Sequence, residues 1–489
     1  MSALFLLFPI LLPIAGGLAI IPLGFTDDAK RNRYAESVVV LTSVLAFACI
    51  ALCGRDSAEL YRFTAGFSIA FRIDFLSCLF GGMVALMWPL VMVYAFDYMK
   101  HAARKNKFFA FYVMTYGVTL GVAFSGNMTT LYVFYEMLSL VTIPLVSHYE
   151  DHESMYAGRK YAAYTIGGAS LAFFAVVMTT VFGDGGTFVY GGSLSGAGSI
   201  AMLRLSFLFG FFGFGVKAAV FPLHDWLPTA SVAPTPVTAL LHAVAVVNSG
   251  VFAITRMTWY AFGPDILKGT GEQAVSLAVS CFTLVYTAAL AVKERRFKRR
   301  LALSTVSNLS YMLFGILLLT PAGLSAGLAH MVFHSVTKML LFLCAGAFMH
   351  VTGNTYIYEL NGVGRRMPVT FALYTVGALS LTGIPLFCCF VSKWMLLEAG
   401  LKAGTKWGML GVVSLIVSAF LCAVYTLTVT ARAFFPREDK DFFRGRTSIG
   451  EAEKGILLPI IVFAAAVVLF GMFPMPLVNF LNAVAAGLG

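Results

Sequence analysis

The chain has 489 residues, of which 59% are hydrophobic and 12% charged, against roughly 25% charged residues in an ordinary soluble domain. With a mean hydropathy of +0.84, this composition excludes a soluble protein and indicates a polytopic membrane protein. A formal net charge of +11 would suit a nucleic-acid partner. The basic residues fall between apolar stretches, however, in the pattern that orients membrane helices, so no nucleic-acid role is expected.

At about 20 apolar residues per crossing, fourteen spans are predicted. The first, 3–24, lacks a basic leader and a small-residue cleavage site, so it reads as a retained span and not a removable signal peptide. Next come 36–53 and 75–96, the latter preceded by Asp74, which is placed to cap it. After 108–125 follows 128–147, which carries Glu136 at its middle, then 160–182 and 204–222. The seventh span runs from Lys217 into a segment crowded by Pro222, Pro228, Pro234 and Pro236, which cannot continue one straight helix. The carbonyls freed there need partners from neighbours or water, and Asp225 reads as the cap of a half-helix within 224–233. The span 234–258 contains His242, and 272–292 is followed by the basic run Lys293 to Arg300. The tenth span is 301–320, with Lys298 at its rim, and the eleventh, 324–349, holds His330, His334 and Lys338. A second break, from Leu381 through Pro385 to Lys393, interrupts 368–390, with a further half-helix expected after Pro385. Spans 407–431 and 455–478 complete the series.

Every second connection is basic. Twenty-three lysines and arginines fall on that side and eight on the other, so the positive-inside rule puts both termini on the outer side. Three of the 34 basic residues remain unplaced: Lys217, Lys338 and Lys393 lie inside apolar spans. A cation at the centre of a bilayer helix costs about 2.5–3.5 kcal/mol even on the lenient insertion scale, so such residues mark function by default.

The stranded polar groups have distinct readings. Glu136 is either a neutral, hydrogen-bonded core carboxyl or, beside a lysine, half of a pair that trades charge states. A desolvated lysine, unlike arginine, gives up its proton readily, so Lys217 and Lys393 are candidate carriers; the competing reading is a lysine that snorkels to the interface. His330, His334 and Lys338 follow at i, i+4 and i+8, drifting only about 80° around one helix with Cα atoms about 6 Å apart. That spacing suits a water-bridged proton wire. Satisfied core histidines are the plainer alternative, and haem ligation is poorly supported by one isolated pair. His242, without charged sequence neighbours, divides between core packing and relay, and on composition Lys298 is an ordinary rim charge. The eight cysteines include no CxxC pair, so no disulfide framework, iron–sulfur or zinc site is indicated, and Cys388 and Cys389 read as small hydrophobes. No G-x-G-x-x-G or P-loop occurs, so the chain is expected to carry no redox chemistry of its own. A broken helix in each half is the sequence pointer to an ion pathway between inverted repeats.

The stretch Lys217 to Thr229 (KAAVFPLHDWLPT), continued by Ala233 to Ala243 (APTPVTALLHA), resembles the diagnostic segment of the antiporter-like subunits shared by respiratory complex I, Mrp-type Na⁺/H⁺ antiporters and membrane-bound energy-converting hydrogenases. Further matches are Tyr135-Glu136-Met137-Leu138, Lys298 to Met312 (KRRLALSTVSNLSYM), His330 to Leu343 (HMVFHSVTKMLLFL), and Gly383 to Phe387 (GIPLF) with Ser392-Lys393. Five motifs in family order cover most of the chain.

The resemblance implies an all-α bundle of about fourteen transmembrane helices in one domain. After N-terminal helices in 1–107 come a first five-helix unit in 108–258, broken near 217–236, and an inverted second unit in 272–431, broken near 383–393. A C-terminal helix lies in 455–489. It implies Glu136 and Lys217 as the input pair, His242 as a relay, Lys298 as a channel member, and an axis through His330, His334 and Lys338 to a terminal Lys393. Some subtypes carry glutamate at that terminal position, and Glu398 lies nearby; family members often have an acid before the lysine at the tenth span, where this chain has Arg296 and Phe297. The sequence ends soon after the fourteenth span, so the mid-sized proximal or Mrp D-like type is expected.

The expected role is an ion-translocating subunit of a redox-driven complex in a prokaryotic plasma membrane, moving protons, with sodium as the alternative ion. Other membrane subunits of a hetero-oligomeric complex are the expected partners; iron–sulfur or other redox cofactors are expected in partner subunits, and none in this chain. A stand-alone Mrp-type antiporter subunit is the alternative, and an inert helical scaffold the third.

Overall fold

Inside a bilayer every backbone N–H and C=O must find a partner within the protein, so long apolar runs become helices and interruptions survive only where neighbours supply hydrogen bonds. The computed structural model describes residues 3–52, 58–64, 66–183, 185–194, 199–436, 443 and 449–488. Cys53, Arg55, Arg437, Lys440, Arg444 and Arg446 of the sequence reading lie outside them.

The chain opens with α1 (Ala3–Leu23) and α2 (Asp28–Leu52), then an antiparallel hairpin, β1 (Ala58–Thr64) and β2 (Phe67–Phe71). There follow α3 (Phe75–Tyr98), α4 (Lys105–Ala123), α5 (Met128–Val146), α6 (His152–Phe182), α7 (Ile200–Gly215), the short α8 (Trp226–Ala230), α9 (Thr235–Ala243) and α10 (Val246–Thr255). The last of these continues as a π-helical turn, Arg256–Phe262, and is followed by α11 (Pro264–Leu267), α12 (Gly271–Lys293), α13 (Phe297–Leu317) and α14 (Pro321–Thr352). Then come α15 (Pro368–Thr382), α16 (Cys388–Lys402), α17 (Lys406–Phe434), α18 (Lys454–Met472) and α19 (Met475–Ala485).

Among the described residues, ten helices are long and apolar enough to cross a membrane. The remaining four of the fourteen predicted spans coincide with α4, α7, α13 and the α15–α16 pair, which are shorter, broken or more polar. Several predicted spans need redrawing. The span 204–222 is helical only to Gly215, and 234–258 divides at Val244–Ala245. The C-terminal helix expected in 455–489 is two helices, because Pro474 cannot continue α18. The hairpin is an addition to the all-α expectation.

Position within the bundle follows from what each helix can afford to hide. The segments 235–262 and 323–348 are buried all round, as befits helices walled in by other helices instead of lipid. α14 packs against α9, α13, α15, α16, α18 and α19, so its polar side chains meet protein on every side.

Both expected helix breaks are present. After α7 the chain runs through turns over 216–225, and the freed groups are taken up locally: Trp226 Nε1 donates to the Val216 carbonyl at 2.7 Å, Tyr135 Oη to the Phe214 carbonyl at 3.0 Å, and Phe221 N to Thr283 Oγ1 at 3.1 Å. α10 approaches this break at Gly250, where a Cβ would lie 2.4 Å from Ala218 N. The second break covers 383–387, and Gly383 ends α15 in the left-handed region at φ +97°.

Candidate functional site

The site is built from the two breaks and the walled-in helices between them. Lys217 stands at the first break, fully buried, with its ammonium bonded to the Tyr135 carbonyl and 3.4 Å from the centre of the Tyr135 ring. Glu136 is the next residue on α5 and is partly buried, with Oε1 buried and unpartnered. The two side chains do not form a direct ion pair; the carboxylate acts on Lys217 through space, as the one charged neighbour. The expected input pair is therefore separated, with the lysine held by a carbonyl next to the acid.

A second group lies along α14. His330 is fixed at both ring nitrogens, Nδ1 with Ser392 Oγ at 2.9 Å and Nε2 with Asn308 Oδ1 at 3.1 Å, and it stacks on Tyr311 at 5.1 Å. His334 follows with its ring 5.8 Å from that of His330 and with neither ring nitrogen hydrogen-bonded. Lys338, fully buried, donates to the Leu301 carbonyl at 2.9 Å and to Ser304 Oγ, both on α13. Ser392, the residue before Lys393 on α16, is the one that binds His330, so α14 and α16 contribute to one polar cluster.

His242 enters this cluster from α9. Its ring packs 4.9 Å from Phe342, both ring nitrogens lack partners, and Lys338 and Lys298 are its cationic neighbours. Lys298, which composition reads as a rim charge, is only 8% exposed and donates to the Ala233 carbonyl at 2.7 Å. It lines a cavity of about 280 Å³ with Tyr149, Asp151, Glu153 and Arg296. The acids at that cavity are engaged elsewhere, Glu153 with Arg296 and Asp151 in capping α6 by accepting from Ser154 N at 2.7 Å, so neither replaces the acid missing beside Lys298 in sequence.

At the far end, Lys393 donates to the Leu381 and Thr382 carbonyls at 2.6 and 3.1 Å and lies 5.3 Å over the Tyr311 ring. A cavity of about 180 Å³ adjoins it, bordered by Trp394 and Ile416, which are 60% and 57% exposed on the outer flank of the bundle. Glu398 is turned away and pairs with Lys402 at 2.6 Å, so it does not share the terminal position. Asp225 is paired with Lys160 and makes no side-chain cap bond, correcting its assigned role, whereas Asp74 caps α3 by accepting from Ser77 N at 2.9 Å.

Sequence reasoning passed over Asn308, Ser392, Ser304 and Asn248. Asn248 donates to the Ala243 carbonyl at 2.7 Å, where α9 and α10 part, and to Ser335 Oγ at 2.8 Å. A signal existed: Ser304 and Asn308 stand four apart on an apolar helix, the spacing that lines one face. Lys217 and Glu136 are the members not brought into the cluster; Gly250 on α10 packs against the backbone of the Lys217 break. Among the described residues no group of three or more His, Cys, Asp or Glu could hold a metal ion.

The chain resembles known proteins in sequence and in fold. The family model described as "NADH:quinone oxidoreductase/Mrp antiporter, TM" matches residues 125–420, and that described as "NADH-Ubiquinone oxidoreductase (complex I), chain 5 N-terminus" matches 63–109. An Na(+)/H(+) antiporter subunit of Alkalihalophilus pseudofirmus is 30% identical over 84% of this chain and 53% of its own. An F(420)H(2) dehydrogenase subunit of Methanosarcina mazei is 31% identical over 77% of this chain and 60% of its own. The chain thus spans little more than half the length of these relatives. A chain of the membrane-bound sulfane sulfur reductase, an archaeal respiratory membrane complex, superposes with a TM-score of 0.83 at 22% identity, over 98% of this chain and 96% of that one, which shows a common fold.

Proposed function

The chain belongs to the NADH:quinone oxidoreductase/Mrp antiporter transmembrane family, and on that premise we propose that it is the antiporter-like, proton-translocating subunit of a multisubunit, redox-driven membrane complex. The observation that carries this reading is the set His242, His334 and Lys338. All three are fully buried in the walled-in helices, and four imidazole nitrogens among them have no protein partner. Buried polar atoms are costly without hydrogen bonds, so such a row is retained where water and protons complete it. A proton would load at the Glu136–Lys217 break, cross to His242 through water between the helices, and run along Lys338, His334 and His330 to Lys393. Lys298 would exchange with the solvent-facing cavity beside it. The chain's own residues hold and pass protons; electron-carrying cofactors belong to partner subunits on this reading, and both termini lie on the outer side of a prokaryotic plasma membrane.

Replacing Lys217 by Ala in the reconstituted complex is expected to abolish proton transfer while subunit composition is preserved. Undiminished transfer with an assembled complex would remove Lys217 from the path. A stand-alone Na⁺/H⁺ antiporter is the second reading, favoured by the 30% identity to the Alkalihalophilus pseudofirmus antiporter chain. Identification of the copurifying subunits separates the two: iron–sulfur or flavin subunits support the first, and small membrane subunits alone the second.

A further inference from the structure

A cleft of about 340 Å³ lies on the basic face, between the first helix break and the end of α12, away from the row of buried lysines and histidines. It is lined by His224, Asp225, Lys293, Glu294, Arg295 and Arg299. Its charges are unequal in availability. Asp225 is engaged by Lys160, and Glu294 by Arg299 at 3.2 Å and by the backbone N–H groups of Arg295 and Arg296 at 2.8 and 2.9 Å. Lys293 and Arg295 are exposed and have no ion pair among the described residues. The cleft therefore presents two uncommitted cations over acids that are already neutralised.

An imidazole forms the back of the cleft: His224 is 8% exposed and lines it, with Nδ1 turned inward, away from the opening, beside the Pro222 backbone. Its ring is held 5.6 Å from Phe221 and 5.8 Å from Tyr286. An anion with hydrogen-bonding oxygens, held by Lys293 and Arg295 in front, would meet this imidazole behind.

The helix leading to the cleft argues for a lipid. Phe282, Tyr286, Leu290 and Lys293 follow at spacings of four, four and three on α12, so they form one stripe along the helix. Phe282 and Tyr286 are 50% and 37% exposed, with their rings stacked 5.3 Å apart, and Leu290 lines the cleft itself. The stripe runs from the apolar span to the membrane rim and ends in a cation. An acyl chain can lie along the aromatic part while its phosphate reaches Lys293, Arg295 and His224. Basic pockets at helix ends on such a face are the recognised geometry for anionic headgroups.

We propose that this cleft binds the phosphate headgroup of an anionic phospholipid, with its acyl chain along the Phe282–Tyr286–Leu290 stripe. Because the same cleft is walled by His224 and Asp225 of the first break, an occupied site braces the segment that carries Lys217.

The test is lipid retention by the purified complex containing the full chain. After delipidation it is titrated with phosphatidylglycerol, phosphatidylcholine and inorganic phosphate, and bound lipid is read by native mass spectrometry. Wild type is expected to prefer phosphatidylglycerol over phosphatidylcholine by about tenfold or more, and inorganic phosphate should not displace it. Lys293→Ala with Arg295→Ala should weaken that binding by roughly five-fold per removed cation, while Lys402→Ala with Lys406→Ala leaves it within about two-fold. His224→Phe, which keeps the aromatic packing, should lose a further part of the preference. Equal binding of both lipids, or an unaltered preference in the Lys293/Arg295 variant, overturns the proposal. Displacement by inorganic phosphate would assign the cleft to a free anion and overturn the lipid reading.

Discussion

Arg256 is one of the largest fully buried side chains in the molecule, and its guanidinium donates to both carboxylate oxygens of Asp74, at 2.5 and 2.7 Å, and to Ser77 Oγ at 2.8 Å. In sequence the two read as a loop cation and a helix cap. The cap stands, but the partnership spans 182 positions, and no local pattern encodes a contact between chain segments so far apart. The pair also fixes the π-helical turn Arg256–Phe262 to the start of α3. A buried pair stripped of one partner leaves an uncompensated charge, at a cost of about 3–5 kcal/mol. Arg256→Ala should therefore lower the unfolding midpoint steeply in detergent, and Arg256→Ala with Asp74→Asn should recover much of the loss. A single variant as stable as wild type would show that the pair carries no weight.

At the scale of elements, the breaks were legible because proline density and glycine have direct backbone meanings, whereas the kink at Val244–Ala245 and the π-helical turn were not. Neither contains proline or a glycine; the kink is accommodated by Asn248 reaching back to the Ala243 carbonyl, a contact visible only in three dimensions. The hairpin was missed for another reason. Its strands, at 7 and 5 residues, fall below any window that seeks membrane spans, although Phe67-Ser68-Ile69 begins to alternate as a strand does. Of the candidate site, Lys217, Lys338 and Lys393 were legible as stranded charges and Lys298 was not, since it reads as a rim charge; the serine and asparagine partners were not legible either, because such residues also occur as ordinary helix–helix contacts. The contact between α10 and the first break makes a prediction at this scale. Gly250→Ala places a Cβ 2.4 Å from Ala218 N and 2.8 Å from the Lys217 carbonyl carbon, backbone atoms that cannot yield alone. It should cost about 1–3 kcal/mol and depress proton transfer through displacement of Lys217. Gly167→Ala, where nothing lies within 4 Å, should leave both unchanged; equal behaviour of the two variants would refute the packing argument.

Across the whole molecule, the proposed path puts the buried titratable groups in series, and groups in series have a thermodynamic signature. If Lys338 and Lys393 occupy the same path, Lys338→Ala with Lys393→Ala should transfer protons no worse than the poorer single variant, since each alone interrupts the path. Rates that multiply would instead indicate two parallel routes. The end of that line has a consequence of another kind. Lys393 holds the Leu381 and Thr382 carbonyls at the close of α15, the negative end of a helix dipole. One side chain of α16 thus fastens the last turn of α15 across the break at 383–387, closing with a side chain the gap that the backbone leaves open.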